Sequence, residues 1–234
     1  LNAPIKGRQG IYGVLQIKAP SDFYFAGTQR NFINMLANTA GSALENASLF
    51  DQSHRLNEDL KLVNETSRKL NSNMNFDEMI TYLKQQLGNA FRPSQIGFVF
   101  YSEDGNYEAS ELSTEYFLSN KSEEYISFVA EHFKGGNESL FDASFSNTIN
   151  RPSRYESLIS TPITNQEETI GFVICMHENP YYFSFDNFKL LRSLIGHSSL
   201  ALTNFLLREQ LRELANKDYL TKLYVRRYLD NVIA

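Results

Sequence analysis

The 234-residue sequence has no tryptophan, one cysteine and only six prolines. A single cysteine, Cys175, excludes an internal disulfide and is typical of a reducing compartment, so we expect a cytoplasmic protein. The longest apolar runs, such as Ile96–Tyr101 and Ile170–Met176, are far shorter than the ~20 residues that cross a bilayer. We therefore expect no membrane segment.

Positive charge is also scarce. Lysine and arginine total 22 against 27 acidic residues, which gives a net charge of −5. Nucleic-acid-binding proteins usually carry a basic face for phosphates, so no nucleic-acid partner is expected. Hydrophobic content of 42% is sufficient for a folded core.

Catalytic and metal-binding motifs are missing as well. There is no phosphate loop, no Gly-x-Ser-x-Gly and no paired Cys/His spacing. His197 lies on a predicted helix, where it is expected to be a polar surface residue, as histidines on helix faces usually are. Cys175 lies in an apolar strand and is expected to be a buried structural residue. The sequence therefore predicts no catalytic residue and no metal ligand.

What the sequence does contain is an internal repeat. When residues 1–56 are paired without a gap with residues 159–214, twelve of the 56 pairs are identical, Pro4/Pro162 and Gly13/Gly171 among them. Each copy predicts two strands, a loop and a long helix, so one supersecondary unit occurs twice. Because the first copy opens directly on its strands, we expect residues 1–50 to be the C-terminal part of a larger domain.

The periodicity of apolar residues along the whole chain predicts an α+β fold. Strands are expected at 1–5 and 11–17, followed by a helix of ~40 residues that Thr28 caps and that runs to about Leu70. Asn75 is expected to cap a second helix over 76–87. The other expected elements are strands at 96–101 and 107–112, a helix at 121–133, strands at 139–143, 158–163 and 170–176, a polar loop at 144–154, and a final helix from Phe185.

Apolar residues recur every seven positions along both long helices. This spacing predicts a parallel coiled-coil seam between two copies of the chain, and hence a homodimer. The alternative is that each stripe packs on its own domain. The seam residues are Leu49, Leu56, Val63, Leu70, Leu200, Leu207 and Leu214.

The second copy resembles the C-terminal half of a GAF domain. The resemblance lies in Pro162, Gly171, Phe183-Ser184 with Asp186, and Ala201-Leu202 with Asn204, and the first copy repeats much of it. It implies an antiparallel sheet flanked by helices and a regulatory role. It also implies a small-molecule pocket, although the same residues suit a filled core. The expected pocket residues are Phe98, Phe100, Tyr125, Phe128, Tyr155 and Thr161.

The last residues resemble a different family. The segment DYLTKLYVRRYL at 218–229 is similar to the entry of GGDEF domains, which are typically diguanylate cyclases, with Lys222 and Val225 in place of the usual Gly and Asn. The resemblance implies that Mg²⁺ and GTP would bind only in a following GGDEF domain.

These interpretations combine into one hypothesis for function. We expect the end of a first GAF domain at 1–50, a helical linker at 51–74, a second GAF domain at 75–205, a signalling helix at 206–217 and the start of a GGDEF domain at 218–234. The chain would then be a non-enzymatic sensory and dimerisation region that controls a diguanylate cyclase. The alternative is a GAF sensor or dimerisation module with another output domain.

Overall fold

A computed structural model describes residues 1–72, 74–102, 106–136, 138–165 and 168–216, with side chains up to Arg208. The chain forms two compact units, Leu1–Lys61 and Leu62–Ala234. The GGDEF-like segment at 218–229 and the side chain of Leu214 lie outside the described residues.

The first unit is a β-hairpin with a helix. Strands β1 (Asn2–Lys6) and β2 (Ile11–Gln16) pair with each other as a two-stranded antiparallel sheet. The helix α1 (Gly27–Leu70) begins in this unit and ends in the second one. A small core forms around Ala3, Ile33 and Ala37. The helix begins at Gly27, one residue before Thr28, so the prediction that Thr28 caps it was wrong. At this end the backbone N–H of Ala26 donates to the Gln29 side chain at 2.9 Å.

The second unit is a five-stranded antiparallel sheet with helices on both faces. The strand order is β4-β3-β7-β6-β5. Its strands are β3 (Gln95–Tyr101), β4 (Tyr107–Ala109), β5 (Leu140–Asp142), β6 (Ser157–Asn165) and β7 (Glu168–His177). Its helices are α2 (Phe76–Phe91), α3 (Glu123–Lys134), α4 (Phe145–Ile149) and α5 (Phe185–Asn216). Two 3₁₀ turns lie at Glu115–Leu118 and Asn120–Ser122.

Local signals explain where α2 begins and ends. The Asn75 side chain accepts a hydrogen bond from the backbone of Glu78 at 2.8 Å, and the Glu78 carboxylate accepts one from the Asn75 backbone at 2.9 Å. This reciprocal capping box confirms the predicted start. The helix passes the predicted stop at Gly88 and ends at Phe91, where Arg92 adopts a left-handed conformation with φ of 47° ahead of Pro93.

Strand alternation divides the core of the second unit into two layers. Ile96 and Phe98 of β3 face the layer that contains α2 and α5, which we call the helical face. Val99 faces the opposite layer with Phe172 of β7 and residues of α3, which we call the α3 face. The predicted polar loop at 144–154 in fact contains the short helix α4. Its first residue, Phe145, is fully buried in the α3-face layer.

The repeat is confirmed down to the strand register. Ile5 pairs with Gly13 as Ile163 pairs with Gly171, and Lys6 pairs with Ile11 as Thr164 pairs with Thr169. Both hairpins also shift register at the same place, after Ile5 and after Ile163. An equivalent irregularity at the same position shows that the two copies share one backbone design.

In the first unit, α1 holds the hairpin turn through Glu45. Its carboxylate accepts hydrogen bonds from the backbone N–H groups of Arg8 and Gln9, both at 2.7 Å. A Cβ atom on Gly41 would lie 2.1 Å from the Lys6 carbonyl oxygen, so glycine permits the close approach of helix and strand. The hydrogen bonds, led by that from Arg8, outweigh desolvation and lower the pKa of Glu45.

This carboxylate gives a pH-dependent prediction. A lowered pKa means that the stabilising contribution is present above the ordinary value of 4.5 and is lost as pH falls through the lower native pKa. We expect the Arg8 and Gln9 amide proton shifts, followed by NMR, to titrate with a midpoint below 4.5. Glu45→Gln should remove that step. A midpoint at or above the ordinary value would contradict the assignment.

A second prediction concerns a buried hydroxyl in the second unit. Thr66 of α1 is 1% exposed, and its hydroxyl has no hydrogen-bond partner among the described residues. Replacing it with the similarly shaped valine removes an unsatisfied polar group, so Thr66→Val should raise the free energy of unfolding by ~1 kcal/mol. Thr161→Val is the matched control, because the Thr161 hydroxyl donates to Ser139 Oγ at 3.1 Å; it should lower stability. Denaturant unfolding of both variants measures the difference, and equal effects would contradict the prediction.

Candidate functional site

The first candidate site is a cluster of tyrosines on the α3 face. Tyr125 of α3 and Tyr155, which precedes β6, are both at most 2% exposed. Their rings meet Tyr116 from the first 3₁₀ turn, and the Tyr116 and Tyr155 centroids are 4.9 Å apart. Tyr125 also stacks on Phe145 of α4 at 4.9 Å. We call Tyr116, Tyr125, Tyr155 and Phe145 the tyrosine cluster.

Hydrogen bonds fix the buried hydroxyls of the tyrosine cluster. The Tyr125 hydroxyl lies 2.6 Å from Ser153 Oγ and accepts from the Tyr155 backbone N–H at 3.0 Å. The Gln95 side-chain amide donates to the Tyr155 hydroxyl at 2.9 Å. Because each buried hydroxyl already has a protein partner, the cluster is a satisfied polar network within a packed core.

The open side of the cluster carries a cation. The Arg154 guanidinium lies 5.3 Å from the Tyr155 ring centroid and 5.9 Å from that of Tyr116, within the range of a cation–π contact. Desolvation raises the pKa of Tyr116 to about 12, so this phenol stays protonated at neutral pH.

The six predicted pocket residues do not line one space. Phe98 and Phe100 belong to the helical face, and Thr161 shares that face by its alternation with Ile159 and Ile163 in β6. Tyr125, Tyr155 and Phe128 lie on the α3 face. The sheet therefore separates the two sets of three residues.

Three residues that complete the tyrosine cluster and its hydrogen bonds were not predicted from the sequence, namely Phe145, Tyr116 and Gln95. Phe145 lies in a segment rich in Ser, Asn and Arg, where its isolated apolar side chain was the available signal. Tyr116 and Gln95 had no such signal, because their roles depend on the folding of the Glu115–Leu118 turn over β3. That turn can pack closely on β3 because residue 97 is glycine. A Cβ atom there would lie 2.6 Å from the Phe117 ring.

Cys175 and the histidines do not form a reactive site in the described part of the chain. Cys175 is fully buried, and burial raises the pKa of its thiol, which disfavours the thiolate. His197 is exposed on α5, and His177 stacks on Tyr182 with centroids 3.5 Å apart. No three His, Cys, Asp or Glu side chains converge among the described residues.

The second candidate site is the set of leucines on the long helices. Leu200 and Leu207 of α5 are 65% and 51% exposed, and Leu49 and Leu56 of α1 are exposed as well. By contrast, Val63 and Leu70 are buried in the helical-face core of their own unit. Their assignment to an intermolecular seam was therefore wrong, because the end of α1 packs its stripe within the chain.

A cleft of about 260 Å³ lies near the start of α2. Its lining includes Leu70, Asn71, Asn75, Phe205 and Arg208. The asparagines are already occupied in ending and starting helices, since Asn71 donates to the Ser67 carbonyl at 2.8 Å and Asn75 caps α2. Asn71 and Asn75 therefore serve the backbone at the helix ends.

No helix in the described residues is long and apolar enough to cross a membrane.

Comparison with known proteins identifies the fold. No protein-family model matches the chain. It is 33% identical over 230 residues to the uncharacterized protein YtrP of Bacillus subtilis (strain 168), and the match covers 98% of this chain and 40% of that protein. The chain thus spans less than half the length of this curated relative.

Two solved structures of GAF domains resemble the chain. The GAF domain of the Acinetobacter phosphoenolpyruvate-protein phosphotransferase has a TM-score of 0.52 at 15% identity and aligns over 64% of this chain and 96% of its own. The corresponding domain from Coxiella burnetii has a TM-score of 0.51 at 15% identity, over 65% and 96%. The antiparallel sheet with its flanking helices therefore has the GAF fold.

Proposed function

We propose that this chain is the sensory and dimerisation region of a bacterial cytoplasmic signalling protein and that it controls a C-terminal diguanylate cyclase. The observation that carries the proposal is the continuity of α5. Leu191, Leu194 and Ile195 anchor the helix in the sheet core. The same helix runs without interruption to Asn216, two residues before the GGDEF-like segment begins at Asp218.

The exposed leucines supply the means of transmission. An apolar stripe at heptad spacing buries its side chains when two helices pair in parallel. The side of α5 opposite Leu200 and Leu207 packs on the domain core. A change in the packing of the core therefore alters the register or crossing angle of the two paired α5 helices. A coupling free energy of ~1–3 kcal/mol is enough to change an output equilibrium ~5- to 150-fold.

The output is assigned from the segment at 218–229. Its Asp-x-Leu-Thr start and its Arg226-Arg227 pair support a GGDEF domain, in which Mg²⁺ and GTP would bind. None of the described residues is assigned a role in that chemistry. Lys222 and Val225 depart from the GGDEF pattern, which bears on the activity of the following domain. The alternative proposal is that the GAF region serves a different output domain or only dimerises.

The test is enzymatic and uses two proteins. The complete protein should convert GTP to cyclic di-GMP with Mg²⁺, and the sequence after Ala234 should contain a Gly-Gly-Asp/Glu-Glu-Phe motif. The 234-residue chain alone should make no cyclic di-GMP, as measured by chromatography of the nucleotide products. A complete protein without this motif would reject the cyclase and leave the GAF fold untouched.

A ligand role for the tyrosine cluster has its own test. The cluster is packed and its hydroxyls are bonded, so we propose that the domain transmits through its helices and does not require a resident cofactor. Tyr155→Phe removes only the hydroxyl that accepts from Gln95. Its expected effect is a small loss of stability with no change in output, whereas altered output at unchanged stability would assign a regulatory ligand to this cluster.

A further inference from the structure

The two copies of the repeat differ in what covers them. In the second unit, Leu194 and Leu202 of α5 are 1% and 0% exposed. Their equivalents in the first unit, Leu36 and Leu44 of α1, are 49% and 47% exposed. Identical residues at identical places in one backbone design are thus buried in one copy and exposed in the other.

The strands show the same difference. Phe172 of β7 is fully buried, whereas its equivalent Val14 in β2 is 62% exposed. In the second unit β7 has β3 at its outer edge, with Phe100 paired to Gly171. In the first unit β2 pairs only with β1 within the described chain.

Gly13 and Gly171 show how closely a neighbouring strand can approach this edge of each hairpin. A Cβ atom on Gly171 would lie 2.3 Å from the Val99 carbonyl oxygen, so the glycine is needed because the β3 backbone passes so close. A Cβ atom on Gly13 would meet only the end of the Ile5 side chain at 3.7 Å, which is ordinary contact. The glycine at position 13 therefore fits a neighbouring backbone that the first unit does not itself provide.

A groove marks where a helix would lie. A groove of about 470 Å³ in the first unit is lined by the polar α1 residues Ser48, Asp51, Gln52 and Arg55, and by Tyr12, Leu44 and Ala47. The equivalents of the last three are Ile170, Leu202 and Phe205, which belong to the helical-face core. There Phe76, the first residue of α2, packs on both Phe205 and Phe100, with centroids 6.0 and 5.3 Å apart.

We infer that this surface is an interface for a helix–strand unit equivalent to α2 and β3, supplied by polypeptide that precedes Leu1. The interface consists of the outer edge of β2 at Gly13, together with Leu36 and Leu44. The added strand runs antiparallel to β2, as β3 does to β7, and an amphipathic helix covers the two leucines.

The order of elements favours the same polypeptide over a second copy. In the second unit α2 and β3 come before the β6–β7 hairpin in the chain, and they already occupy their own sheet. An equivalent unit for the first hairpin would therefore come before it in sequence. This inference does not depend on the proposed output domain.

The experiment compares two lengths of the protein, each as the wild type and with Gly13→Val. One is the 234-residue chain, and the other is the complete protein, with the natural polypeptide before Leu1. Hydrogen exchange measured by mass spectrometry on β2 peptides should show at least ~100-fold greater protection in the complete protein, as expected when an exposed strand becomes an internal one. Gly13→Val should abolish that gain, whereas in the 234-residue chain it should change little.

Three results would overturn the inference. One is equal exchange of β2 in the two proteins. Another is a Gly13→Val substitution that leaves the protection of the complete protein intact. The third is a 234-residue chain whose β2 becomes protected as protein concentration rises, because that assigns the surface to a second copy. Leu36→Asp is an independent check on the helix side, and it should likewise expose β2 only in the complete protein.

Discussion

Leu207→Asp should raise the dissociation constant of the proposed homodimer at least ~100-fold, which corresponds to ~2.7 kcal/mol. The substitution places a carboxylate in each of two facing helices, where the leucine would otherwise be buried against its partner. Leu207 is 51% exposed in the single chain, so the domain core should tolerate the change. Sedimentation velocity over a concentration series measures the dissociation constant, and circular dichroism checks the fold.

A neighbouring residue provides the matched control. Arg208 is exposed on α5 and projects ~100° around the helix from Leu207. Arg208→Asp introduces the same side chain away from the leucine line, so the dimer should remain nearly as tight. A wild-type chain that stays monomeric would reject the seam. Equal weakening by both variants would show that net charge, and not the leucine contact, controls association.

Gly171→Ala should lower the free energy of unfolding of the second unit by at least ~3 kcal/mol, at the upper end of overpacking costs. The added methyl group would lie 2.3 Å from the Val99 carbonyl oxygen, which is backbone of the adjacent strand and cannot rotate away. Strands β3 and β7 pair over Gln95–Phe100, so separating them disturbs the centre of the sheet.

Gly88→Ala is the control for this substitution. Gly88 lies within α2, and a Cβ atom there would meet nothing within 4 Å. Alanine should therefore raise stability by ~0.5–1 kcal/mol through its better helix propensity. Urea denaturation of the two variants should give shifts of opposite sign. A Gly171→Ala protein as stable as the wild type would show that β7 does not lie against β3 as described.

Parts of this fold followed from sequence because their signals are local. Asn75 and Glu78 are three residues apart, so their capping box could be predicted without knowledge of any distant contact. The repeat predicted two equivalent hairpins, and the register of Ile5 with Gly13 matches that of Ile163 with Gly171. Backbone patterns of this kind depend on residues close together in the chain.

Other features could not be predicted because they depend on which surface covers which. Phe98 and Tyr125 are both buried aromatics, but their separation by the sheet is set by the side on which α3 packs. Val63 and Leu70 continue the heptad spacing of Leu49 and Leu56, yet they face their own core. A hydrophobic period indicates that a stripe is buried, and it does not specify the partner.

Cysteine cross-linking along α5 tests the central claim most directly, since that claim requires two α5 helices to lie parallel with their leucines facing. Leu200→Cys and Leu207→Cys should each form a disulfide-linked dimer under mild oxidation, because facing positions bring Cα atoms to the ~4.4–6.8 Å that a disulfide spans. Native Cys175 is fully buried and should not compete. Arg208→Cys should react much more slowly. Cross-linking at only one of the two leucine positions would indicate crossed or antiparallel helices, and cross-linking at neither would contradict the dimeric signalling helix.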